Sequence, residues 1–119
     1  MSNCMCECQA PPIIKQGDAY PIPAKLFLNK EQITSDYIDL IAKVEFMLDE
    51  RIRKVYPDDV PFADDAFLIP LTQEESFSFF PGETVYMDAR IKFAQSHDVL
   101  GIDNPVMFMV IGAQSTEVI

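Results

Sequence analysis

The chain has 119 residues, 49% of them apolar, and nineteen acidic against nine basic side chains give it a formal charge of −10. That is the size of one domain with one core, and the charge repels phosphate backbones and anionic lipid surfaces, which argues against nucleic-acid and membrane partners. The longest apolar run, "VMFMVIGA", is of strand length, far short of the roughly twenty residues that a membrane helix takes.

Residues 1–15 hold Cys4, Cys6 and Cys8, then Pro11 and Pro12, and carry no sustained period; they read as a loosely held arm. No basic segment followed by an apolar one opens the chain, so synthesis in the cytoplasm is expected. After "QGD" at 16–18, the side chains of Tyr20, Ile22, Ala24, Leu26 and Leu28 alternate with others in the period of a strand. Pro23 cannot donate a ladder hydrogen bond, which places that strand at an edge. Asn29 and Lys30 turn the chain, and Ser35 is placed to cap a short helical turn reaching Leu40. "AKVEFML" then sets Ala42, Val44, Phe46 and Leu48 on one face, Asp49 and Glu50 make a tight turn, and "RIRKVY" returns as a hairpin partner. "PDDVPFADD" at 57–65 has the composition of an exposed loop.

Next, "AFLIPL" puts Phe67, Ile69 and Leu71 on one face, and Thr72 followed three residues later by Glu75 is a capping-box pattern, closed by Pro81-Gly82. The longest alternation is "TVYMDARIKF", with Val85, Met87, Ala89, Ile91 and Phe93 inward. After a brief "VLGI", the run "VMFMVI" is apolar on both faces and reads as a covered strand. Six or seven short strands with at most two single helical turns predict an all-β fold, an antiparallel sandwich or small barrel over 16–112, with a tail at 113–119. Val44, Phe46, Phe67, Ile69, Val85, Met87, Ile91, Phe93 and Phe108 are expected to share its core.

Little in this pattern is catalytic, and the chain reads as a non-enzyme that needs no cofactor. His97, the one histidine, stands between Ser96 and Asp98, and adjacent residues do not converge as a triad does. The alternate cysteines could share a soft metal, contact another subunit or serve redox use, but three thiolates leave a tetrahedral zinc site incomplete. An unliganded arm is the first reading. Asp58, Asp59, Asp64 and Asp65 offer oxygen ligands without the regular spacing of a calcium loop, so a solvated acidic loop is the simpler reading. The edge strand with Tyr20 and Ile22 and the two-faced final strand with Met107 and Met109 are the candidate interface. Tyr86 and the acidic loop are the candidates for a ligand, carbohydrate among them.

With these elements in place, "APPIIKQGDAYPIPAKL", "KVEFML", "AFLIPLTQEESF", "PGETVYMDARIKF" and a final apolar strand resemble small proteins encoded in the tail modules of phages and prophages of Gram-positive bacteria. The order is similar to that of the N-terminal domain of phage baseplate upper proteins, an immunoglobulin-like β-sandwich. Gln16-Gly17-Asp18, Val44-Glu45-Phe46, residues 71–75 and Pro81-Gly82 carry the likeness, which covers about residues 10–111. The resemblance implies a structural or adaptor protein of the tail or baseplate, assembling with other phage proteins or with itself and ending in the virion. No receptor-binding region follows the last strand, so an adaptor role is expected rather than direct host recognition.

Overall fold

The computed structural model describes residues 13–115 and 117–119. Among them the fold is all-β, with strands β1 (Ile13–Lys15), β2 (Ile22–Ala24), β3 (Phe27–Leu28), β4 (Glu31–Gln32), β5 (Ile41–Leu48), β6 (Ile52–Tyr56), β7 (Phe62–Ala63), β8 (Ala66–Ile69), β9 (Thr84–Phe93), β10 (Val99–Gly101) and β11 (Val106–Ile111). A 3-10 turn at Ile38–Leu40 and one short helix, α1 (Gln73–Phe77), interrupt them. The large sheet runs β1-β11-β9-β5-β6, with β10 also on β9; β2-β8-β7 form a small sheet and β3-β4 a hairpin.

The long alternation places β9 in the middle of the large sheet, pairing with β5 on one side and with β11 and β10 on the other. The inward side chains of the large sheet share one core with those of the small sheet: the ring of Phe67 on β8 lies 5.4 Å from Phe46 on β5 and 5.3 Å from Tyr56 on β6, and 4.8 Å from its own sheet's Phe62, centroid to centroid. Such tilted and edge-on contacts suit the ring quadrupoles. Every residue expected in the core is fully buried except Phe93, which is partly buried at the end of β9, edge-on to Tyr37.

Primed hairpin turns match strand twist but require positive φ at both central residues. Three pairs adopt it without glycine: Asn29-Lys30, Asp49-Glu50 and Asp64-Asp65, with φ between 52° and 68°. The capping box forms as expected, with Thr72 Oγ1 accepting from the Glu75 amide at 3.0 Å and Glu75 Oε1 accepting from the Thr72 amide at 2.9 Å.

Several expectations give way. The large sheet is mixed, because β1 pairs in parallel with β11, Ile13 opposite Met109. Residues 13–15 therefore belong to the sheet and not to an arm, with Ile14 buried at 1% exposure; three residues are too few to show a period. Tyr20 to Leu28 is not one strand but two short ones in different sheets, although Ile22, Ala24, Leu26 and Leu28 all face inward and Pro23 does lie on an edge. A β-bulge between Ile41 and Lys43 turns Ala42 out and Ile41 in. Ser35 caps nothing: its own amide donates to Asp65 Oδ1 at 2.8 Å, and the 3-10 turn starts at Tyr37 without a side-chain cap. The acidic stretch 57–65 holds strand β7 and the fully buried Val60.

Gly17 shows why the "QGD" turn needs its glycine. Its φ is +90°, an added Cβ would stand 3.1 Å from the Phe77 ring, its amide donates to Ser76 Oγ at 2.8 Å, and its carbonyl accepts from Gln73 Nε2 at 3.0 Å. The turn is thus bolted to α1. Gly17→Ala combines unfavourable φ with crowding and should cost about 1–2 kcal/mol in urea denaturation; an unchanged midpoint would mean that the turn is not held in this form.

Candidate interaction surface

On the face of the large sheet turned away from the core, a row of apolar side chains remains uncovered. Alternation along β1, β9 and β11 sends Ile13, Tyr86, Met107, Met109 and Ile111 outward, each between 44% and 54% exposed. Register makes them neighbours: Ile13 is opposite Met109, and Met107 is opposite Tyr86. Next to Tyr86 lies a groove of about 420 Å³ whose lining includes Met47, Asp49, Asp88, Arg90 and Pro105.

Further along β9 the same face becomes charged. Glu45 on β5 accepts from Arg53 Nε at 2.7 Å and from Arg90 Nη2 at 2.5 Å. These bonds, Arg53's first and Arg90's second, hold its carboxyl below the usual glutamate range, and Glu45 in turn raises Arg90. Beyond them, Lys43 stands directly opposite Lys92.

The expected site residues separate in the fold. Met107 and Met109 lie on the outer face, exposed. Tyr20 is exposed in the segment leading into β2, and Ile22 is a core residue at 5% exposure, so its side chain is not an interface group. Cys4, Cys6 and Cys8 lie outside the described residues. Asp59 Oδ2 accepts from the Val55 amide at 3.0 Å, and Asp65 Oδ1 binds the Ser35 amide; Asp64 and Asp65 form a hairpin turn, and Asp58 is exposed. Two of these acids thus serve as backbone caps. Among the described residues no group of three or more His, Cys, Asp or Glu side chains is placed to hold a metal ion, and no helix is long and apolar enough to cross a membrane. His97 is exposed between β9 and β10.

The sequence reading missed Ile13 as a partner of the methionines, because the parallel β1–β11 pairing that brings it there has no local signature, and it missed Ile111 although the alternation Met107, Met109, Ile111 along β11 carries it. The chain matches no family model, no curated protein and no solved structure.

Proposed function

We propose that the protein is a non-enzymatic structural or adaptor module of a phage or prophage particle, in the tail or baseplate region, acting by protein–protein assembly. The observation that carries the reading is the exposed row Ile13, Met109, Met107 and Tyr86, continuous across three strands. Contiguous apolar surface of this kind marks docking sites, and flexible methionines adapt to an irregular partner. The sequence resemblance supplies the setting, and two facing sheets around one core support an immunoglobulin-like sandwich, with the parallel β1–β11 pair as its departure from an antiparallel pattern.

The test is the composition of purified induced particles. The protein should be present by mass spectrometry, and the double variant Met107→Glu, Met109→Glu should be lost from particles while unfolding within about 1 kcal/mol of the parent, as exposed substitutions do. Absence of the parent protein from particles, or full incorporation of the variant, would overturn the reading. A second reading, a carbohydrate-binding module, is favoured by Tyr86, a residue 54% exposed beside Asp88 and Arg90 in the groove. Glycan binding that disappears in Tyr86→Ala would select it.

A further inference from the structure

The large sheet has three lateral edges among the described residues, and two are blocked in part. On β6, the Val55 amide donates to Asp59 Oδ2, while its carbonyl accepts from the amides of Asp59 and Val60 at 2.6 and 3.2 Å. On β1, the Lys15 carbonyl is taken by the Asp18 amide at 3.1 Å. Such devices prevent unwanted strand pairing.

The third edge, β10, is different. The Phe93 amide donates to the Asp98 carbonyl and the Ile102 amide to the Ala89 carbonyl, so residues 98, 100 and 102 turn their backbone groups toward β9. By the alternation of an antiparallel ladder, Val99 and Gly101 turn theirs away. The next in that series, Asp103, donates to the Phe27 carbonyl at 3.1 Å, where β3 closes the edge. Beside Val99 and Gly101 no strand pairs among the described residues. Val99 on the outer face and Leu100 on the inner are 52% and 43% exposed.

The outer surface beside this edge is basic in a chain of charge −10. Lys92 is flanked by Val99 on one side and Lys43 on the other, and Arg90 stands opposite Gly101. Like charges in direct register are unfavourable, and the bulge at Ala42 creates this one; neither lysine has an ion-pair partner among the described residues. Gly101 puts no side chain in the way, since an added Cβ would meet only the Ala89 carbonyl oxygen, at 3.8 Å.

We propose that the outer edge of β10 accepts an extended acidic segment of a partner protein as an added strand, its carboxylates reaching across Val99 toward Lys92, with Lys43 behind it, and an apolar side chain covering Leu100. Main-chain hydrogen bonds then supply affinity and alternate side chains specificity. A second copy of this chain fits less well, because it brings ten more negative charges overall yet sets the same basic strip against this one. The proposal deepens the adaptor reading, on which it rests for its biological setting.

It is tested on the full chain with a defined probe, a blocked hexapeptide of alternating valine and glutamate, followed by amide NMR shifts. Shifts should centre on Val99 and Gly101, and binding should weaken about tenfold or more in Lys43→Glu, Lys92→Glu, as expected where attraction becomes repulsion. Val99→Pro, which removes an outward amide and no bond to β9, should abolish binding with the fold intact. Equal binding of a control hexapeptide with lysine in place of each glutamate, or no shifts at β10, overturns the proposal. So does concentration-dependent pairing of these amides without peptide, which assigns the edge to a second copy. Protection that vanishes when residues 1–12 are removed overturns it too, in favour of the chain's own N-terminal segment. Particle composition is measured separately, so failure here leaves the adaptor reading standing.

Discussion

Phe46→Ala should lower the unfolding free energy by about 3–5 kcal/mol, the range for deleting a buried aromatic. The side chain is fully buried on β5 and packs at a tilt against Phe67, which also meets Tyr56 and Phe62. Removing it takes away both the transfer free energy of the ring and the contacts that join the two sheets, and neighbours anchored on separate strands cannot close the space. Against a typical total of about 5–15 kcal/mol, much of the stability goes. Urea denaturation measures it, and a loss below about 1 kcal/mol would mean that the sheets are not joined at this residue.

The second large effect is expected at Glu75. Lys54 is opposite Phe46 on β6, on the core-facing side, and its ammonium reaches both Glu75 oxygens at 3.0 and 3.1 Å with only 15% of the lysine side chain exposed. The same carboxylate completes the helix cap. Glu75→Ala removes the reciprocal cap and strands a largely buried cation, for a combined cost of about 2–3 kcal/mol. Burial pushes the Glu75 carboxyl up, but the Thr72 amide and then Lys54 more than offset it, leaving the carboxyl below the ordinary 4.5. A lowered folded value stabilises the native chain above the unfolded value, and the benefit drains away as pH falls through the folded one. Stability should therefore decline below about pH 4.5. Glu75→Gln, which retains a capping oxygen, should flatten that part of the acid limb; an identical acid profile in the variant would remove Glu75 from the account.

How far the fold was readable depended on how long each pattern ran. Ten alternating residues made β9 plain, and Thr72 with Glu75 announced their cap because both partners are local. Lys54 looked like one more charge in "RIRK"; nothing nearby in sequence says that it reaches a helix twenty residues later. The bulge at Ala42 is hidden for the opposite reason: an extra residue breaks the period that would reveal it. Aspartates at 59 and 65 offered themselves as ion ligands, since neither the Val55 amide four residues before Asp59 nor the distant Ser35 amide that Asp65 serves is marked in the sequence. The outer row was half legible, in Met107 and Met109, and needed β1 to complete it.

The parallel β1–β11 pair also bears on how the molecule is made. Ile13 leaves the ribosome before every other strand of the sheet is made, yet its partner Met109 comes on the last of those strands, and β11 lies between β1 and β9. Closing so long a loop carries a high entropic cost before any contact repays it. Until β11 is made Ile14 therefore has no strand beside it, and the large sheet can be completed only once that strand has emerged.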